Sequence, residues 1–433
     1  MTELLQAQLA LIRDKARDLH HQGRLAESLE AHAEALRLAP DAVTIHLSAA
    51  RLAHGLQLQE RSLRHFEDAA RIDPRCYPAI EAARRICVGA GIGERAQHYS
   101  ELAYALNPTA DALLSLKLLV PAIADSAEQI RETRERYASG LDEMLTSPPH
   151  LESPQGALGI SGFFLAYHGE CNRDLQSRTA RLFLQAIPSL NYTAPHCVAP
   201  RVPRGRVRIG FISRFFSSHS IFSTSIGLIE KLPRARFEVF VLRITPCRDD
   251  ESTARIRAAA DHCVEVNEDI YAARGQIAAL GLDILFYQDI GMEQTAYFLA
   301  FSRLAPVQCV SFGHPDTTGI PTMDYFVSND LFEPPDAQAH YSEKLVQLKD
   351  LPTLAYYYKP KIPQIVATRA SFGLPDAVPL YVCPQTLYKL HPQFDPIIRE
   401  ILTRDAHGIV ILIEGQFREF TQRLRARFAG VMP

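Results

Sequence analysis

Leu38-Ala39-Pro40-Asp41, Ile72-Asp73-Pro74-Arg75 and Leu106-Asn107-Pro108-Thr109 punctuate the first quarter of this sequence, thirty-four residues apart. Ala35, Ala69 and Ala103 recur at the same period. Each phrase closes a helical pattern, because a proline ring clashes with the preceding turn and offers no N–H to continue it. The recurring alanines leave room for two helices to approach closely. A single helical hairpin cannot bury its apolar stripe, so hairpins of this kind stack on their neighbours.

A thirty-four-residue period with small residues at the helix crossing and a closing proline is the tetratricopeptide signature, and residues 1–112 are read as three such repeats. Gly89-Ala90-Gly91-Ile92-Gly93 follows a helical pattern rather than a strand, so it reads as the turn inside the third repeat and not as a phosphate loop. Arrays of this type bind peptides or partner proteins and carry no chemistry of their own.

Residues 113–205 read as a helical linker region that ends in a connector containing Pro195, Pro200 and Pro203. The pattern then changes. Val207–Ser213, Phe237–Ile244, His262–Val266, Asp283–Tyr287 and Val307–Phe312 are short apolar runs separated by helical stretches. Short buried strands alternating with helices imply a parallel sheet covered on both faces, a Rossmann-like domain over 206–345. Its ligands are expected beyond the carboxyl ends of the strands. After a connector at 346–374, a second α/β unit occupies 375–433, with strand candidates Pro379–Cys383 and Gly408–Ile413. This is about half of a nucleotide-binding fold, so the last domain is expected to be truncated at Pro433.

The 433 residues are 47% hydrophobic and 22% charged, an ordinary globular composition. A formal net charge of −3 gives no general drive toward nucleic acid or an acidic membrane. The eight cysteines form no Cys-x-x-Cys pair, which argues against zinc ribbons and dithiol redox sites; Cys309, inside an apolar run, reads as a buried reduced thiol. No signal peptide or spanning segment is visible, so a cytoplasmic location is expected.

Three loops follow strand candidates. Ser213–Ser220 contains His219, either a general base with a near-neutral pKa or an ordinary loop histidine. Gly313-His314-Pro315-Asp316-Thr317-Thr318-Gly319 is either a backbone cradle for a sugar or phosphate, or a plain turn. Pro384–Pro392 carries Gln385, Thr386 and Lys389; a lysine at a helix entrance opposes the helix dipole unless an anion is also bound there.

Taken in order, these loops resemble glycosyltransferase family 41, the protein O-GlcNAc transferase and SPINDLY-type family. The phrases Gly210–Phe216 with His219, Ala305–Gln308, Gly313–Gly319 with Met323-Asp324-Tyr325, His340–Leu345, and Cys383-Pro384-Gln385 with Leu387-Tyr388-Lys389 carry the resemblance. It implies a tetratricopeptide solenoid followed by a GT-B enzyme of two Rossmann-like domains. The implied activity is inverting, metal-independent transfer of a sugar, GlcNAc from UDP-GlcNAc first, to Ser or Thr of protein acceptors bound by the repeats. The sequence contains no Asp-x-Asp, and no cofactor beyond the nucleotide-sugar donor is expected.

The resemblance assigns catalytic roles to His219, His168 and Lys389, with Lys389 neutralising the leaving diphosphate. Gln385 and Thr386 would line the nucleotide pocket, and Gly313 and Thr318 would approach the donor sugar. Two departures matter. Phe215 stands where well-known members have an Asp four residues before the histidine, which leaves His168, His219 or water to take the acceptor proton. The later phosphate and ribose segment of the family would lie beyond Pro433, so this chain as given is expected to bind nucleotide weakly and to be inactive for that reason. The alternatives are a non-catalytic repeat scaffold, or the same fold with GDP-fucose or UDP-glucose as donor.

Overall fold

The computed structural model describes residues 3–157, 162–198, 205–350, 355–359, 364–365 and 367–432. They group into two compact units, residues 1–136 with 375–433, and residues 137–374.

The first unit opens with three antiparallel hairpins: α1 (Glu3–His21) with α2 (Leu25–Leu38), α3 (Val43–Gly55) with α4 (Gln59–Ile72), and α5 (Tyr77–Ala90) with α6 (Gly93–Leu106). The periodic alanines Ala35, Ala69 and Ala103 are all buried. Each accepts the closing hydrogen bond of its helix from the residue just before the signature proline: Ala39 at 2.9 Å, Asp73 at 3.0 Å and Asn107 at 2.9 Å. The next residue, a proline, has no N–H to extend the ladder, and the helix stops. A second repeated bond ties the hairpins, from the Ser28 hydroxyl to the Ala16 carbonyl (2.7 Å) and from Ser62 to Ala50 (2.9 Å). Gly91 is left-handed (φ 66°) and caps α5, so the glycine-rich segment is the expected turn.

The array continues into α7 (Ala110–Lys117) and α8 (Ala127–Thr146), which runs across the boundary between the units. In the second unit come α9 (Arg173–Ala186) and one turn, α10 (Pro195–Val198). The described residues between α8 and α9 form turns and short 3-10 segments, so the helical reading of 113–205 holds only in part. Pro195 opens α10; Pro200 and Pro203 lie outside the described residues, as does Pro433.

The second unit is built on seven parallel strands: β1 (Val207–Ser213), β2 (Phe237–Ile244), β3 (His262–Val266), β4 (Ile284–Tyr287), β5 (Val307–Ser311), β6 (Tyr325–Asn329) and β7 (Lys344–Leu348). Helices α11 (Ser220–Lys231), α12 (Glu251–Ala259), α13 (Ile270–Leu280) and α14 (Gln294–Leu299) connect them. The strand order is β3-β2-β1-β4-β5-β6-β7. The chain therefore reverses direction across the sheet between β1 and β4, the point beyond whose carboxyl ends such sheets bind their ligands. Phe211, Ile221, Ile229, Val239, Val241 and Ile256 fill the layer between β1–β2 and the helices. Each such side chain, fully buried, contributes roughly 1.5–3 kcal/mol. The sequence reading had no strands at β6 and β7, where charged and polar residues interrupt the apolar run.

The first unit also contains β8 (Leu380–Cys383), α15 (Asp395–Arg404), β9 (Ile409–Leu412) and α16 (Arg418–Ala429). β8 and β9 pair in parallel from Leu380↔Ile409 to Cys383↔Leu412. Arg423 of α16 joins this element to the repeats through Glu94 and Asp125, both at 2.8 Å. Arg427 donates to the Ala124 carbonyl at 2.6 Å and pairs with buried Asp395 at 2.8 Å. All eight cysteines are free thiols, and burial pushes the Cys309 thiol up to about 12. No helix among the described residues is long and apolar enough to cross a membrane.

One charged cluster secures the last repeat. Arg84 is fully buried, pairing with Glu81 (2.6 Å) and Asp111 (2.7 Å). Arg84→Met leaves the mostly buried Asp111 without its close cation and Glu81 with Arg85 alone (2.5 Å). The expected loss is about 3–5 kcal/mol, visible as a lower urea midpoint for the helical signal; a midpoint within error of wild type would contradict this.

Candidate active site

Three strand ends of the second unit place polar side chains at the switch point. β1 ends on Ser213, whose hydroxyl donates to Asp289 Oδ2 (2.9 Å) and accepts from the Phe215 backbone N–H (2.8 Å). β4 is followed by Gln288 and Asp289, both buried. Ser225 of α11 donates to Gln288 Oε1 (2.7 Å), while Gln288 Nε2 and Asp289 Oδ1 have no partner among the described residues. Burial pushes the Asp289 carboxyl up to about 8, so near pH 7 it carries its proton and can donate.

β5 is followed by the loop Gly313–Gly319. A Cβ on Gly313 would fall 1.7 Å from the Gln288 carbonyl oxygen, so only glycine lets the β4 and β5 loops touch. His314 is buried, stacked on Phe163 (centroids 4.8 Å apart, planes at 18°), and neither ring nitrogen has a partner among the described residues. Burial lowers its pKa to about 4, which keeps the ring neutral. Gly319, at φ 69°, sits against the backbone of Gln176 in α9, where a Cβ would come within 2.2 Å.

A buried carboxylate holds this loop from beneath. Glu343 accepts from the Thr317 hydroxyl (2.6 Å), the Thr318 N–H (2.8 Å) and the Thr318 hydroxyl. The Thr318 hydroxyl also accepts from the Ile320 N–H (3.1 Å). It is thus engaged inside the loop, not presented outward, and Thr318 positions the cradle. Asp316 accepts from Asn172 (3.0 Å) and Gln176 (3.3 Å) of the α9 region, and burial raises it to about 6.

His219 caps α11, its Nδ1 accepting the Ile221 N–H at 3.2 Å. A nitrogen that accepts holds its lone pair there, so the ring proton sits on Nε2. Its free nitrogen is a donor, which corrects the general-base reading for this geometry. Phe215 stacks on the ring (4.5 Å, 21°), and burial lowers the His219 pKa, so the neutral donor form prevails. His168 is buried and ends the 3-10 segment Phe163–Tyr167, whose Phe163 covers His314.

Lys389, Gln385 and Thr386 belong to the first unit, beyond the carboxyl end of β8, and all three are exposed. Lys389 is the last residue of the 3-10 turn Leu387–Lys389, and the following helix starts only at Asp395. Lys389 therefore does not stand at a helix entrance, contrary to the expectation from sequence: between Pro384 and Pro392 the chain makes only this single turn. A separate cleft of about 700 Å³ lies beside Arg214, Glu268, Asp269 and Glu293. Its carboxylates would repel a diphosphate.

The sequence reading missed Gln288, Asp289, His314 and Glu343 as individual site residues. The signals were present: Gln288-Asp289 directly follows a strand at the switch point, and His314 and Glu343 lie inside phrases already singled out.

Residues 164–356 match the sequence model of Glycosyl transferase family 41. Over that segment, less than half of its length, the chain is similar to family 41 glycosyltransferases. Among curated relatives, a probable UDP-N-acetylglucosamine–peptide N-acetylglucosaminyltransferase of Arabidopsis thaliana, SEC, is 27% identical over 238 residues, covering 53% of this chain and 24% of the relative. A UDP-glucose:protein N-beta-glucosyltransferase of Actinobacillus pleuropneumoniae is 26% identical over 207 residues, covering 46% and 31%. The chain thus spans less than a third of the length of these family 41 relatives. A variant of the O-GlcNAc transferase of Thermobaculum terrenum has the same fold, with TM-score 0.60 at 22% identity over 99% of this chain and 73% of that one.

The buried acid gives a pH signature. Asp289 has a raised folded pKa, so its contribution to stability is full below the unfolded value near 3.9 and is lost as pH rises toward about 8. Asp316, raised to about 6, and His314, lowered to about 4, are common to wild type and Asp289→Asn, so their titration cancels in the comparison. Between pH 6.5 and 8, wild-type stability should fall by up to about 1.4 kcal/mol per pH unit more than that of Asp289→Asn. Thermal unfolding of both proteins across that window measures it, and parallel curves would contradict the assignment.

Proposed function

We propose that the chain transfers a sugar from a nucleotide-sugar donor to hydroxyls of protein acceptors, with inversion and without a catalytic metal. The observation that carries the reading is the set of uncharged polar groups at the switch point: His219 Nε2–H, the Asp289 carboxyl and the unpartnered nitrogens of Gln288 and His314. Neutral donors can hold sugar hydroxyls and the phosphate ester without attracting a competing cation.

In the proposed step the acceptor oxygen attacks the anomeric carbon as its bond to the β-phosphate oxygen breaks. The bonding pair leaves with the diphosphate. The family resemblance assigns neutralisation of that charge to Lys389, an exposed residue at the end of a 3-10 turn, and stabilisation of developing charge is commonly the largest contribution to such rates. The acceptor proton leaves through His168 or water, since His219 Nε2 is already protonated. UDP-GlcNAc is the first donor to test and UDP-glucose the second, because the two curated relatives differ in donor.

The repeats supply the acceptor surface. A groove of about 710 Å³ runs along α1 and α3, lined by Arg13, Arg51, His20, His32 and the Arg17–Asp14 pair (2.7 Å) among apolar and hydroxyl residues. Acidic segments of acceptor proteins complement it.

Radiolabelled UDP-GlcNAc and an acidic acceptor protein test both parts. The full-length gene product should label the acceptor, its Lys389→Ala variant should lose at least a hundredfold in rate, and its Arg13→Glu/Arg51→Glu variant should lose labelling while keeping donor hydrolysis. Absence of binding to any nucleotide sugar by that product, with its fold intact, would overturn the transferase reading and leave the repeat scaffold.

A further inference from the structure

The middle repeat departs from its neighbours at two paired positions. One repeat length on either side of His46 stand Ile12 and Ile80, and on either side of His65 stand Ala31 and Tyr99. All four neighbours are buried, and Ile12 and Ala31 share one core cluster. In the second repeat, both sides of this apolar contact between the helices of the hairpin are histidine. An isolated polar residue at such a place costs stability; two facing each other can share a ligand.

The geometry is that of a ligand set. His46 Nε2 lies 2.8 Å from the Pro40 carbonyl, which can only accept, so the His46 proton is on Nε2 and the Nδ1 lone pair points away from it. That Nδ1 faces His65 Nδ1 at 3.3 Å. Asp68, one turn after His65 on α4, brings its Oδ2 to 3.9 Å from His46 Nδ1, while its other oxygen is held by Arg71 at 3.1 Å. The three ligand atoms all lie within 4.8 Å of one another. For a tetrahedral zinc with Zn–N bonds of about 2.0–2.1 Å, two ligand nitrogens sit roughly 3.3 Å apart. The Pro40 carbonyl does for His46 what backbone acceptors do for metal-bound histidines generally: it fixes tautomer and ring orientation.

We propose that His46, His65 and Asp68 form a binding site for zinc that staples α3 to α4 next to the signature proline of the first repeat. Two nitrogens and a carboxylate oxygen fill three tetrahedral positions, and water takes the fourth. The site is on the repeat array, so it serves the protein-binding surface and not sugar transfer.

The test uses the full chain, stripped with chelator, titrated with zinc chloride by calorimetry and followed by thermal unfolding. The control is His46→Ile/His65→Ala, which installs the residues of the first repeat and should keep the helical signal. Wild type should bind one more equivalent of zinc than this variant and gain a zinc-dependent rise in Tm that the variant lacks. Asp68→Asn should weaken that extra equivalent at least tenfold. Equal stoichiometry and equal Tm shifts in wild type and the double variant would overturn the proposal.

Discussion

One buried carboxylate governs the shape of the candidate site. Glu343 accepts two hydroxyls and a backbone N–H from Thr317 and Thr318, and no cation offsets its charge among its hydrogen-bond partners. A buried anion is tolerated only when its lone pairs are filled this fully. The consequence is a loop whose hydroxyls all turn inward. Gly313 and Gly319 let that loop press against the Gln288 carbonyl and α9, so the β4 end, the β5 end and α9 behave as one support.

On that support the chemistry is that of neutral donors. His219 is held as an Nε2–H tautomer by the helix it caps, Asp289 is kept protonated by burial, and His314 is kept neutral in the same way. Phe215 fits this pattern: an acid beside His219 would favour the imidazolium, whereas a stacked ring does not.

Much of this was legible in the sequence. The repeat prolines sit where the helices close, and the first five strands of the sheet fall within a residue or two of their apolar runs. Strands β6 and β7 were not legible, because their burial comes from tertiary pairing and their polar residues erase the apolar run. Asp289 and Glu343 stand at legible places in the chain, but their burial was not legible, for a related reason. A carboxylate reads as surface until the fold closes over it, and no local pattern announces that. The His46–His65 pair was hidden differently: it shows only when the repeats are aligned on one another.

The central claim is that the switch-point histidine works as an uncharged donor. Long-range proton–nitrogen NMR of histidine-labelled protein near pH 7 tests it most directly. The account predicts His219 as the neutral Nε2–H tautomer, with its Nε2 resonance moving when UDP-GlcNAc is added. An imidazolium, an Nδ1–H tautomer, or a His219 signal indifferent to every nucleotide sugar would contradict it.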